Sequence, residues 1–161
     1  MHPEKVSVEQ SLIRELAENI RKPVFAVGTT SVRTLESLYW LGVKLIVDGG
    51  DHPPEIHQWD AYNPRYDRDI PYTTALTALS DHLSGTGSER YTGATELMIV
   101  PGYRFRIVKG MVTNFHMPQS TLLLLVAAFI GPAWKTAYEY ALQHDFRFLS
   151  YGDACLFFRR E

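Results

Sequence analysis

Asn114, His116, Gln119, Ser120 and Thr121 crowd five polar side chains into eight positions, between a β-rich run and the apolar segment TLLLLVAAFI. Pro118 biases Met117 away from helical dihedrals, and Ser120 is placed to cap a helix that begins at Thr121. That helix is apolar on every face and should be buried rather than amphipathic. Polar residues opening the N-terminus of a buried helix present backbone N–H groups to an anionic or polar ligand. The plainer reading, a capped core helix after a hairpin, uses the same residues. A second joint has the same character. The short apolar run VFAV is followed at once by Gly28-Thr29-Thr30-Ser31 and then VRTLESLYWLG. Gly28 allows a sharp turn, and the hydroxyls of Thr29, Thr30 and Ser31 lie beside free N–H groups. Such a corner, at the carboxyl end of a strand, suits a carboxylate, a phosphate or a ribose hydroxyl. It lacks the Gly-Lys-Ser/Thr of a P-loop and the glycines of a dinucleotide fingerprint. Arg33 and Glu36 are near neighbours on one side of this helix and are candidates to pair.

Other chemistry-bearing residues have weaker claims. His52, Glu55, His57 and Asp60 match no zinc spacing, and Pro53-Pro54 separates the two histidines, so no metal site is expected. Trp59, Tyr62 and Tyr66, with Arg65 and Arg68, have the composition of a base-stacking cluster but equally of aromatics pinning a loop. The single cysteine, Cys155, sits in the apolar run ACLFF and reads as a buried, inert thiol.

The elements that must position these residues follow from pattern. Ser7 is a candidate cap for a helix with Val8, Leu12, Leu16 and Ile20 at helical spacing, closed by Pro23. Residues 24–27 and 43–47 read as buried strands around the helix that follows Gly28. Residues 48–70, rich in Gly, Pro, Asp and aromatics, read as a long surface excursion. A helix over 71–84 buries Ala75, Leu76, Leu79 and Leu83, and 84–95 reads as a flexible polar link. A strand over 96–100 leads to a hairpin that turns at Lys109-Gly110. After the helix at Thr121, a further helix starts at Pro132 with a packing stripe of Ala133, Ala137, Tyr140 and Ala141. Strands over 148–151 and 154–158 complete the chain. The pattern predicts an α/β fold with a mixed sheet, compatible with part of an α/β barrel-like domain, with flanking helices and one long irregular excursion.

With 161 residues the chain can bury a real core, and its net charge of −2 advertises no global nucleic-acid surface. Its longest apolar run, 122–130, is too short to span a bilayer, and the N-terminal decapeptide lacks the pattern of a signal peptide. A cytoplasmic location without membrane contact is expected. No G-x-S-x-G elbow supports a hydrolase.

Three stretches carry a resemblance. GTTSVRTLES (28–37), PGYRF…TNFHMPQSTLLLLVAAFIG (101–131) and F-x-SYGDA (148–154) resemble the C-terminal half of the S-adenosylmethionine:tRNA ribosyltransferase-isomerases of queuosine biosynthesis. His2 and Glu4 look like the end of that family's H-x-M-H-x-E segment. The resemblance implies transfer and isomerisation of the ribosyl part of S-adenosylmethionine onto 7-aminomethyl-7-deazaguanine at a tRNA wobble position. The product is epoxyqueuosine; adenine and methionine leave. S-adenosylmethionine is then a consumed co-substrate, with no cofactor and no metal. Such a reaction needs a base near the C5′ carbon beside the sulfonium, an acid for departing adenine, and groups that hold ribose and carboxylate. His116 and His2 suit proton transfer near neutrality, and Asp153 is a further catalytic candidate. Asn114, Ser120, Thr121, Thr29, Thr30, Ser31, Arg33 and Glu36 are candidates to orient substrate. Tyr103 and Phe105 are candidates to face a base, and Tyr151 to complete the pocket.

The family's N-terminal half, with its β-rich small domain, has no counterpart here, and residues 48–95 look like an insertion in the C-terminal part of the large domain. The expectation is a fragment inactive alone, with tRNA, S-adenosylmethionine and the missing half as partners, and with self-association over the apolar surface that half would cover. The competing expectation is a noncatalytic nucleoside- or RNA-binding module.

Overall fold

The computed structural model describes residues 3–19, 21–50 and 55–159. They form two compact units. Unit 1 comprises Met1–Lys22 and Arg33–Leu97, and unit 2 comprises Pro23–Val32 and Met98–Glu161.

Unit 1 is built on a two-stranded antiparallel ribbon. β1 (Glu4–Glu9) pairs with β3 (Arg90–Thr95) from Glu4↔Thr95 to Glu9↔Arg90. Both strands depart from expectation. Ser7 does not cap a helix; it lies in β1 opposite Thr92, and Val8 is buried as a strand residue. Alternating positions Glu4, Val6 and Val8 turn inward while Lys5, Ser7 and Glu9 face out, a period of two that outcompetes the helical spacing beginning at Val8. The link read as flexible supplies β3, and residues 96–100 are not a strand. Helix α1 (Gln10–Glu18) buries Ile13, leaves Leu12 exposed and packs against α3 (Tyr72–Gly85). Gln10 Nε2 donates to the Ser80 carbonyl at 2.7 Å, which fixes that packing. In α3, Ala75, Leu76, Leu79 and Leu83 are buried as expected.

The strand expected over 43–47 does not exist. Helix α2 runs unbroken over Thr29–Asp48. A short apolar run has no periodicity that separates strand from buried helix, and no breaker stands between Gly42 and Val43. Gly42 serves another purpose: a Cβ there would overlap the Ala75 carbonyl of α3. In unit 1, α2 buries Leu38, Tyr39, Trp40, Leu41 and Val43, and the Ser37 and Thr95 hydroxyls share a buried hydrogen bond of 2.7 Å. The described part of the excursion is pinned rather than loose. Ile56 bridges to Thr95, the Tyr66 hydroxyl donates to Asp48 at 2.9 Å, and Lys44 reaches Asp60 at 2.9 Å. Trp59 stays exposed beside Tyr62.

Unit 2 holds a mixed three-stranded sheet in the order β2-β4-β5, with β2 (Val24–Val27) parallel and β5 (Ala154–Phe158) antiparallel to central β4 (Val108–Asn114). Among the described residues neither sheet closes into a barrel. The hairpin at Lys109-Gly110 is absent, because both residues lie inside β4. Gly110 is there for close approach, since the Phe25 ring occupies the space its side chain would take. Helix α4 (Thr121–Ile130) buries Leu125, Val126, Ala127 and Phe129 and packs against β5 and α5 (Ala133–Gln143). The stripe on α5 is shifted: Tyr138 and Ala141 are buried, Ala133 and Tyr140 exposed. Residues 148–151 form a turn rather than a strand. The core here is aromatic. Phe115 meets Tyr138, Phe146 and Phe148 at ring-centroid distances of 5.2, 5.6 and 5.4 Å.

Candidate functional site

Strand direction brings three segments of unit 2 to one edge. β2 and β4 are parallel with Val27 opposite Val112, so the Gly28 corner leaves the sheet beside the end of β4. The Gly28 N–H donates to the Val112 carbonyl at 2.8 Å, and φ of +90° at Gly28 makes the turn. β5 is antiparallel with Ala154 opposite Asn114, so Tyr151, Gly152 and Asp153 arrive at the same edge. Thr29, Thr30, Ser31, Asn114, His116, Ser120, Thr121, Tyr151 and Asp153 thus share the end of one sheet where parallel strands leave their ligands.

His116 is the most constrained of them. Its Nε2 lies 2.9 Å from Thr113 Oγ1, and its backbone N–H donates to the Tyr138 hydroxyl at 3.0 Å. Burial lowers its pKa below the ordinary 6.5, so the ring is neutral at pH 7. Among the described residues its Nδ1 makes no hydrogen bond. In the tautomer whose Nε2–H donates to Thr113 Oγ1, Nδ1 carries the free lone pair. Tyr138 and Thr113 escaped the reading of the sequence. Thr113 stood in the quoted motif three residues before His116, but nothing local tied Tyr138, 22 residues away, to it.

The rest of the joint is braced. Asn114 Nδ2 donates to the carbonyls of Gly152 and Asp153 at 3.2 and 3.3 Å. Ser120 Oγ accepts from the Leu123 N–H at 3.2 Å and donates to the Met117 carbonyl at 2.8 Å, so it caps α4 as expected. Gln119 takes φ of +62° to admit this turn, a conformation uncommon outside glycine. The Asp153 carboxylate accepts from the Arg147 N–H at 2.7 Å and from its guanidinium at 3.3 Å; these bonds hold its pKa below the usual carboxylate value. Asp153 closes the 147–153 loop as an ionised group, and Gly152 is packed where a Cβ would strike the Arg147 carbonyl. Ser31 Oγ donates to the Val27 carbonyl at 2.8 Å, and Thr29 is buried while Thr30 is exposed. Tyr151 is 97% exposed.

Two expected residues lie elsewhere in unit 2, and two belong to unit 1. Tyr103 and Phe105 are core residues, edge-to-face at 5.0 Å, with Phe105 against Phe129 at 4.9 Å. Phe129 lies eight residues along α4 from Thr121, about 12 Å at 1.5 Å per residue, so both rings occupy the opposite end of unit 2 from His116. Arg33 and Glu36 belong to unit 1, both buried. Arg33 forms an ion pair with Glu4 of β1, the glutamate of the H-x-E segment. His2 lies outside the described residues. Cys155 donates from Sγ to the Thr113 carbonyl at 3.1 Å, and burial pushes its pKa up to about 11, the inert thiol expected.

The family model described as "Queuosine biosynthesis protein" matches residues 1–157. The chain belongs to this family. It is 36% identical, over its whole length, to the S-adenosylmethionine:tRNA ribosyltransferase-isomerase of Burkholderia lata, of which it covers 35%. To the enzyme of that name from Xanthobacter autotrophicus it is 60% identical over 90 residues, 53% of this chain and 25% of the relative. Among solved structures, S-adenosylmethionine tRNA ribosyltransferase from Thermotoga maritima matches with a TM-score of 0.62 and 34% identity, over 94% of this chain and 40% of that one. The chain therefore spans roughly a third of the length of relatives matched along all of it. No single helix among the described residues is long and apolar enough to cross a membrane.

Proposed function

We propose that this chain carries part of the active site of an S-adenosylmethionine:tRNA ribosyltransferase-isomerase and needs further polypeptide to turn over. The substrates are S-adenosylmethionine, consumed rather than recycled, and a tRNA bearing 7-aminomethyl-7-deazaguanine at the wobble position. The product is epoxyqueuosine, with adenine and methionine released. The observation that carries this reading is His116: a neutral imidazole with one nitrogen anchored on Thr113 and the other open, at the edge where the Gly28 corner and the 151–153 turn also end.

The sulfonium acidifies the C5′ hydrogens of the ribosyl group. Nδ1 of His116 takes that proton while Nε2–H stays on Thr113, so the positive charge formed on the ring rests against a hydroxyl oxygen. Departing adenine needs a proton, which the imidazolium supplies. Asp153 remains ionised throughout and acts as a fixed negative charge rather than an acid. The N–H groups at the starts of α2 and α4 receive the carboxylate and ribose oxygens. The Arg33–Glu4 pair joins the start of α2 to β1 within unit 1. Residues 48–95 are an elaboration of the large domain, and copies of the chain associate through an apolar sheet face.

Calorimetric titration of the chain with S-adenosylmethionine, repeated with His116→Ala, tests the reading. Binding that weakens at least tenfold in the variant supports it, and the same affinity in both overturns His116's role. A folded chain that binds no S-adenosylmethionine would refute the claim that this part carries the pocket.

A further inference from the structure

The edge of β3 that faces away from β1 carries a cavity of 360 Å³ within unit 1. Ladder geometry makes that edge. The Gln10 N–H donates to the Glu89 carbonyl at 2.9 Å, so every second pair from there to Glu4↔Thr95 exchanges hydrogen bonds across the ribbon. Thr92 and Ala94 therefore aim their N–H and carbonyl groups away from β1. Ile56 covers one end of this edge by its parallel bridge to Thr95, which sets Glu55 level with Ala94 and His57 level with Glu96. Toward Thr92 the edge is open, and Glu55, Ile56, Tyr91, Thr92, Gly93 and Glu96 line the cavity there. Tyr91 is 4% exposed, yet its hydroxyl makes no hydrogen bond among the described residues. Its oxygen lies where a Cβ on Gly93 would stand, so glycine at that position lets the hydroxyl reach the cavity. A buried hydroxyl without a partner calls for one. Burial and then the Glu55 charge raise the Tyr91 pKa, so the phenol keeps its proton and offers its lone pairs. Among the described residues the carboxylates of Glu55 and Glu96 make no ion pair and no hydrogen bond. Lys44 reaches the Glu55 main chain at 2.6 Å, but its charge is matched by Asp60 at 2.9 Å. Unit 1 as a whole has nine Lys and Arg against 14 Asp and Glu, a field that favours cations.

We propose that this cavity binds a short aliphatic diamine, with one ammonium at each carboxylate and the Tyr91 hydroxyl accepting from one of them. An ammonium brings three N–H donors and no acceptor, which matches a lining of two carboxylates, a hydroxyl oxygen and the Thr92 carbonyl. Hydrogen bonds of this charge-assisted kind are the strong ones. The levels of Glu55 and Glu96 differ by two residues, roughly 6.6 Å along β3. An extended four-carbon diamine separates its nitrogens by about the same length. Its methylenes lie against Ile56 and Ala94, which supply the apolar wall. The volume is that of a small-molecule site. A metal ion is the wrong cation, because among the described residues no three His, Cys, Asp or Glu side chains converge to hold one. The site stands apart from His116 and does not rest on the function proposed above.

The test is an amide NMR titration of the whole isotope-labelled chain with putrescine, with n-butylamine and butanediol run in parallel. The expected result is saturable shifts confined to residues 55–57 and 91–96, about tenfold weaker binding of the monoamine and none of the diol. Tyr91→Phe, which removes no hydrogen bond within the protein, should weaken putrescine about tenfold. Glu55→Gln/Glu96→Gln should weaken it by about a hundredfold. The control Glu15→Gln/Glu18→Gln makes the same change of charge on the exposed side of α1 and should keep the parent affinity. No saturation by about 10 mM putrescine, equal binding of the diol, or parental affinity in Tyr91→Phe overturns the proposal. A control variant that loses as much as the cavity variant also overturns it, in favour of diffuse attraction to an acidic surface. Displacement of putrescine by S-adenosylmethionine would overturn a separate site and give the cavity to the co-substrate. A chain that binds putrescine in this way but has no affinity for S-adenosylmethionine would sustain the cavity while removing the His116 reading.

Discussion

His116 combines two demands that ordinarily conflict: a half-buried position and a proton-accepting ring. Burial favours the neutral ring, so its folded pKa lies below its unfolded value of 6.5. Between those two values the unfolded chain binds more protons than the folded one, and stability therefore rises with pH there. The contribution is fully present above pH 6.5 and is lost as pH falls through the folded pKa. Thermal melts from pH 8 down to pH 5 should show His116→Gln losing less stability on acidification than the parent chain, because the variant has no proton to take up. Parallel curves would mean that the ring is not desolvated as described. The residue types at this joint were legible in the sequence, since Ser120 announces its cap and His116 its chemistry. What holds His116 was not, because Tyr138 reaches it only through the packing of α5 on Phe115.

At the scale of elements, helices with a strong local signal were readable and strands without one were not. Ser120 and Pro132 marked the starts of α4 and α5. β1 and β3 are short strands stabilised by each other across more than 80 residues of chain, and neither carries a signal that survives alone. The apolar run at 43–47 misled because burial on all sides removes the periodicity that distinguishes helix from strand. Gly110, read as part of a hairpin turn, is instead a point of close approach, as is Gly42. Gly42→Ala sharpens the contrast. On propensity it should stabilise α2 by about 1 kcal/mol, but a Cβ there overlaps a backbone carbonyl of α3 that no rotamer change can move. Overpacking against backbone wins, so the net expectation is a loss of about 1–3 kcal/mol. It would be read as a lower urea midpoint at unchanged m-value; a midpoint at or above that of the parent would show that α2 and α3 separate without cost.

At the scale of the molecule, the sheet of unit 2 has two unlike faces. Ala26, Met111 and Thr113 lie on the buried one, and register places Phe25, Val27, Val112, Leu156 and Phe158 together on the other. Four of these are substantially exposed, at 46, 70, 49 and 58% for Phe25, Val27, Leu156 and Phe158, and Phe25 meets Phe158 edge-to-face at 5.8 Å. One exposed apolar side chain needs no explanation, but a contiguous row across three strands does. Covering a half-exposed side chain of this size contributes roughly 1 kcal/mol, so four of them on each of two copies outweigh a good part of the cost of association. The chain should run as a dimer or larger species in size-exclusion chromatography with light scattering at micromolar concentration. Val27→Lys/Leu156→Lys, which puts cations on this face and leaves the buried face untouched, should shift it to monomer with its circular dichroism unchanged. A parent chain that is strictly monomeric would mean that the row is tolerated bare, and a variant that still dimerises would place the contact on another surface.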